Sequence, residues 1–376
     1  MTTASPTKEK PVWVKLVAAY SHSESRISMI QMANSFLPYF ALTALAYLTV
    51  HTSLLLSVPF SVLSGLFLMR IFIIQHDCGH QSFFKSKQHN NWLGFFCGIL
   101  TMTPYAFWRM THAIHHATSG DLDYRGIGDV ETKTMAEYQA LGRWGRLGYR
   151  LYRNPLLMFT VGPMFMFVIY QRTPLSWHVA STMKANNMQA KRSLLATDAI
   201  LLVLWGAMIL HFGLATVLLV QLPGWLVTTS LGVWLFYVQH NFEDAYWRLH
   251  PEWTYEEAAI RGSSYYRLPK IMQWFSGNIG LHHIHHLSPK IPNYLLQKAF
   301  DENEFFQKDV HILTLKSSLK VLVSRLALWD EEEKRMITFG YAHQKLASTA
   351  AVPVMSSVPT PDVPIMGSTV SDMAAR

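Results

Sequence analysis

The chain has 376 residues, a formal net charge of +8, 15% charged and 50% hydrophobic residues, and only two cysteines beside eighteen histidines. A soluble chain of this size carries about 25% charged residues, so the composition argues against an ordinary soluble enzyme. Two thiols also exclude a self-contained iron–sulfur cluster, which takes four, and a disulfide framework.

Taken in chain order, residues 1–32 are polar and mixed and read as an N-terminal cytosolic segment, with no apolar core of a cleavable signal peptide. Residues 34–50 and 53–74 are apolar and near the length of about 20 residues that crosses a hydrocarbon core. Only His51 and Thr52 separate them, which predicts a helical hairpin. A second apolar block contains Pro223 and Gly224; it divides into spans at 194–215 and 221–239, a second hairpin. Lys and Arg are absent from residues 31–69 and 193–247. By the positive-inside rule both hairpin tips face outward and everything else faces the cytoplasm, which in a bacterium means the inner membrane. That charge pattern suits anionic lipid, not nucleic acid.

Two shorter apolar stretches, 92–108 and 155–170, are flanked by basic residues on both sides and are expected to be interfacial or re-entrant helices. The expected fold is all-α: an integral membrane protein with about four transmembrane helices in two hairpins. A cytosolic helical cap, from roughly 76–192 and 241–345, completes a membrane domain over 33–345. Residues 346–376, rich in Ala, Pro, Ser, Thr and Val, read as a disordered tail.

Three histidine clusters carry the chemistry. His76 and His80 form HxxxH; His112, His115 and His116 form HxxHH; His282, His285 and His286 form a second HxxHH. Residues at i, i+3 and i+4 share a helix face, so each cluster is expected to converge on one metal. Neutral imidazole suits iron, copper, nickel and zinc. Eight such ligands exceed what one ion with an open position can use, which favours two ions. His76 follows the second span and His240 the fourth, so His240 is a candidate ninth ligand at the same membrane face. His283 is expected to point off the shared face. Asp77 is a candidate to orient a histidine through its other ring nitrogen, with Asp121, Asp123, Glu243 and Asp244 as weaker candidates. A hydrolytic HExxH is absent. A metal transporter would need ionisable groups at mid-membrane, and the spans offer almost none.

The box order, with the runs QHDCGHQSFF (75–84), WRMTHAIHHA (108–117) and GNIGLHHIHHLSPKIPNY (277–294), resembles the membrane fatty acid desaturases, in particular acyl-lipid Δ12 (omega-6) types of bacteria and plastids. The resemblance covers roughly residues 30–320. It implies two non-haem ferrous ions held by His76, His80, His112, His115, His116, His240, His282, His285 and His286. It also implies dioxygen as oxidant, a fatty acyl lipid as substrate, and an external electron donor, either a ferredoxin or a cytochrome b5. The same superfamily includes hydroxylases, conjugases, acetylenases and carotenoid-modifying oxygenases, which box spacing does not separate. Some relatives place an asparagine one turn before the last-span histidine; here that residue is Phe236, with Asn241 and Gln239 as the nearby substitutes.

Overall fold

A short helix, α1 (Val12–Ala18), leads into α2 (Ser25–Thr49) and, across a tight turn, α3 (Leu54–Gly79). This computed structural model describes residues 11–172 and 188–350. The first predicted hairpin is thus present, and α3 continues without a break from its apolar stretch into the first histidine cluster. The second hairpin is α10 (Met188–Phe212) and α11 (Leu214–His240). Its turn lies at Gly213, not within 215–221 as expected. Gly213 adopts φ +81°, which only glycine takes at little cost, whereas Pro223 is accommodated inside α11.

Three helices, α3, α10 and α11, are long and apolar enough to cross a membrane. The first expected span falls in α2. That helix has the length, but Gln31, Asn34, Ser35 and Tyr39 dilute its apolar character. Of the apolar window of α3, 56% is buried within the protein, against 17% for α10. Hence α3 is central and α10 peripheral, with Leu202, Val203 and Leu210 left exposed on its outer face.

The central crossing of α3 and α11 is built on small residues. A Cβ on Gly65 would meet the backbone of Gly224, so the two helices touch main chain to main chain. The Gly224 N–H donates to Ser61 Oγ at 3.1 Å, and Thr228 Oγ1 donates to the Gly65 carbonyl at 2.7 Å. Close approach and interhelical hydrogen bonds of this kind are what hold helices together where lipid offers no hydrophobic drive.

The remainder packs against the ends of α3 and α11. The 92–108 stretch is not one helix. It divides into α4 (Lys87–Leu100) and α5 (Tyr105–Thr118), because Pro104 caps α5 and Met102 takes φ +54°. After α6 (Met135–Ala140) and α7 (Arg143–Tyr152), the 155–170 stretch forms α8 (Pro155–Phe159) and α9 (Val161–Val168), broken at Thr160. Beyond α11 come α12 (Tyr255–Arg261), α13 (Lys270–Phe275), α14 (His282–Leu287), α15 (Asn293–Glu302), α16 (Leu315–Ser324) and α17 (Phe339–Ala350). The expected tail therefore begins as helix up to Ala350, and residues 351–376 and 1–10 lie outside the described residues.

The fold is mostly helical, as expected, with a few short strands. Strands β1 (Lys133–Thr134), β2 (Tyr265–Arg267), β3 (Ile312–Thr314), β4 (Leu326–Asp330) and β5 (Arg335–Thr338) form two small sheets. β1 runs parallel to β4, β4 antiparallel to β5, and β2 parallel to β3. The largest apolar core surrounds α14, whose Leu281, Ile284 and Leu287 flanks pack with Tyr266, Ile279, Ile291 and Leu296. Each fully buried aliphatic side chain of this kind contributes about 1.5–3 kcal/mol, enough to seat a six-residue helix carrying four histidines.

Candidate metal centre

All nine candidate histidines converge where α3 and α11 end, and they sort into two groups. His76, His80, His112, His116 and His285 form one; His115, His240, His282 and His286 form the other. Within each group the potential ligand nitrogens lie within 4.8 Å of one another. The reading that each box can point at one metal holds for box one and is corrected for boxes two and three. Box two gives His112 and His116 to the first group and His115 to the second; box three gives His282 and His286 to the second and His285 to the first. The reason is helical. At about 100° per residue, positions i and i+4 are about 40° apart, while i+3 lies about 60° to the other side of i. A pair thus aims at one point and the third ring aims beside it.

Helix ends and close packing position the rings. His76 lies in the last turn of α3 and His80 caps it, its N–H bonded to the His76 carbonyl at 3.1 Å. Gly79 allows Trp108 to close over that turn, since a Cβ there would stand 2.8 Å from the indole. Trp108 in turn stacks on His112 at 4.7 Å between centroids.

Several rings are fixed by hydrogen bonds at Nδ1, which turns Nε2 inward. Asp77 accepts from His76 Nδ1 at 3.2 Å. Its other oxygen accepts from the backbone N–H of Asn293 at 2.7 Å and from its side-chain amide at 2.8 Å, at the start of α15. One carboxylate therefore orients a ring and anchors a helix N-terminus, where negative charge is favoured. His240 Nδ1–H donates to the Gly262 carbonyl at 3.0 Å. His115 Nδ1 pairs with Asp129 Oδ1. Neither Asp129 nor the Gly262 carbonyl was apparent from spacing. The legible signal for Asp129 was the RGIGD run: Gly128, at φ +74°, lies against α5, where a Cβ would come 3.1 Å from His115 Cβ.

Other candidates fall elsewhere. Asp121 pairs with His250 at 2.7 Å, and Asp123 accepts from the His250 N–H at 2.8 Å. Glu243 pairs with Arg335 at 2.8 Å and Asp244 with His311 at 2.9 Å. His283, as expected, points away and donates Nε2–H to the Phe306 carbonyl at 2.9 Å. Both substitutes for the asparagine position make side-chain hydrogen bonds away from the histidines, although Asn241 borders the cavity described below. Asn241 bonds to Arg153 at 2.6 Å and Tyr237 at 2.8 Å, and Gln239 donates to the Ile279 carbonyl at 3.0 Å. Phe236 stands there instead, its ring 4.9 Å from His115 and 5.2 Å from His240. With Ser119, Asp129, His240 and Trp247 it lines a cavity beside the second group.

The donor set fits metal ions. Nε2 atoms face one another within each group: His112–His116 at 3.2 Å, His116–His285 at 3.0 Å, His115–His286 at 3.2 Å and His240–His282 at 2.9 Å. Two nitrogens about 2.1 Å from one ion and at right angles would stand about 3.0 Å apart. Burial first, then the neighbouring imidazoles, hold His112, His116, His282, His285 and His286 well below the usual histidine range, so these rings are neutral and their lone pairs available. His80 Nε2 is buried without a hydrogen-bond partner, a costly state that coordination would relieve.

Comparison with known proteins accounts for this architecture. The family model described as "Fatty acid desaturase" matches residues 52–314. A protein of Bacillus subtilis (strain 168) named "Fatty acid desaturase" is 46% identical over 339 residues, 90% of this chain and 93% of its own. An "sn-1 acyl-lipid omega-3 desaturase (ferredoxin)" of Synechocystis is 26% identical over 64% of this chain and 65% of its own, and an "sn-1 oleoyl-lipid 12-desaturase" of the same organism is 25% identical over 63% and 65%. With the model spanning more than half of the chain and a relative so similar along nearly its whole length, this membrane-spanning, histidine-clustered oxidoreductase belongs to the fatty acid desaturase family.

Proposed function

We propose that the chain is an O₂-dependent acyl-lipid desaturase that places a cis double bond at the Δ12 position, with two ferrous ions held by the nine histidines. The observation that carries this reading is the sorting of those histidines into two groups whose potential ligand nitrogens lie close to one another. The Δ12 position is supported by the distant oleoyl-lipid 12-desaturase. An external ferredoxin as electron donor is supported by the donor named for the omega-3 relative; cytochrome b5 is the other donor class. The four-span arrangement, with the boxes at the cytoplasmic face of a bacterial inner membrane, rests on the Lys and Arg windows.

Bound there, the ions would supply with dioxygen the oxidising power that removal of hydrogen from unactivated methylenes requires. The chain supplies position and shelter. His76, His80, His112, His116 and His285 would hold one ion, and His115, His240, His282 and His286 the other. Asp129, the Gly262 carbonyl and Asp77 keep the Nδ1 proton of their rings and so hold Nε2 free. Phe236 and Trp247 form the apolar part of the wall of the small cavity beside the second group.

The test is gas chromatography with mass spectrometry of lipids from a host that makes only saturated and monounsaturated chains, expressing this protein and a ferredoxin system. A dienoic acid with its new bond at Δ12 is expected. A bond elsewhere would remove the positional assignment. A hydroxy acid, or no new lipid from folded iron-loaded protein, would overturn the desaturase reading itself. In the same host Asp129→Ala is expected to lower conversion about 10–100-fold, the usual cost of losing a group that orients a metal ligand. Wild-type conversion in that variant would remove Asp129 from the site.

A further inference from the structure

Helix α7 turns its apolar face away from the protein. Its sequence, RWGRLGYRLY, contains no acidic residue. At about 100° per residue, Trp144, Leu147 and Leu151 share one stripe, and all three are exposed, Trp144 to 70%. The opposite side is the buried one. Tyr149 donates to the Ala327 carbonyl at 2.6 Å and accepts from the Lys133 N–H at 3.0 Å. Between the two faces lie Arg143, Arg146 and Arg150. Arg146 donates to the Leu141 and Gln139 carbonyls, each at 2.8 Å, and Arg150 to Tyr138 Oη at 2.7 Å. Arg143 rests over the Trp144 ring at 5.2 Å. Among the described residues no carboxylate pairs with any of the three. The apolar stripe continues into α8 and α9 through exposed Leu156, Val161 and Phe165.

An amphipathic helix with tryptophan and leucine on one side and arginine beside them is the form that lies in a headgroup layer, apolar stripe down and cations level with lipid phosphates. From this juxtaposition we infer that α7 is an interfacial anchor whose partner is the anionic lipid surface of the bilayer that the spanning helices cross. The charge decides for lipid over a second copy of the chain, since two such all-basic faces would repel. The inference rests on membrane residence and does not depend on the position of the double bond.

The test is site-directed spin labelling of the full chain in nanodiscs. Cys78 and Cys97 are both buried, so a Leu147→Cys variant takes the label at the surface; a label at Lys334→Cys, on an exposed turn, reports water. The label at 147 is expected to be shielded from a water-soluble nickel chelate yet open to dissolved oxygen. Phosphatidylglycerol in the disc is expected to strengthen the shielding, and Arg143→Gln to weaken the preference for that lipid about five-fold, the share of one arginine near an anionic surface. Nickel access equal to that at 334 would overturn the inference. Shielding from both probes would mean a protein contact and would overturn it too. Immersion indifferent to phosphatidylglycerol would remove the anionic partner.

Discussion

His285→Ala is expected to reduce desaturation by more than about a hundred-fold and to lower the bound iron, whereas His283→Gln, two residues away, retains both. Loss of a group that merely orients a ligand costs about 10–100-fold, so loss of the proposed ligand itself exceeds that range. His285 Nε2 stands 3.0 Å from His116 Nε2 inside the first group. His283 points the other way, to the Phe306 carbonyl, and a glutamine amide can donate to the same oxygen. Iron per protein, measured by plasma emission spectroscopy, and product fraction from the lipid profile would be read together. Unchanged iron and turnover in His285→Ala would sink the ligand assignment of box three; loss of iron in His283→Gln would show that the motif has been divided wrongly.

The second large effect lies in the spans. Gly65→Leu is expected to destabilise the fold by more than about 3 kcal/mol, the upper end of ordinary overpacking, because the new side chain meets main chain rather than a flexible side chain. Gly232→Leu, on α11 with nothing within 4 Å of its Cβ position, is the matched control. Thermal unfolding in detergent, followed by light scattering, would separate them. A Gly65→Leu protein with the midpoint of Gly232→Leu would mean that α3 and α11 do not cross at these glycines.

Much of this was legible beforehand because it rests on local pattern. Apolar runs and empty Lys/Arg windows reveal spans, and HxxHH on a helix reveals convergent rings. The first hairpin and the nine-histidine set follow from such patterns. What escaped depends on three-dimensional proximity or on competition between signals. The hairpin turn at Gly213 was masked by the stronger punctuation of Pro223–Gly224, which a membrane helix tolerates. The division of boxes two and three between the groups is contained in the 100° helical step, which sets the i+3 ring apart from the i and i+4 pair; which ring of one box meets which of the other depends on where α5 and α14 lie relative to each other, and spacing within one helix does not contain that. Asp129 reaches His115 from a loop in a glycine-rich run, and Asp77, expected only as a ring partner, also meets α15 from 216 residues away. The exposed stripe of α7 resembles a core-facing stripe until the buried side is known.

The shared helices also bear on how the site assembles. Because α5 and α14 each carry histidines of both groups, a rotation of either helix would move rings in both. Filling either group first would fix the rotation of both helices and set the second before anything occupies it. Uptake of the two proposed ions should therefore be cooperative, with singly loaded molecules scarce at every stage of a titration, and damage at one group should be felt as weakened retention at its neighbour.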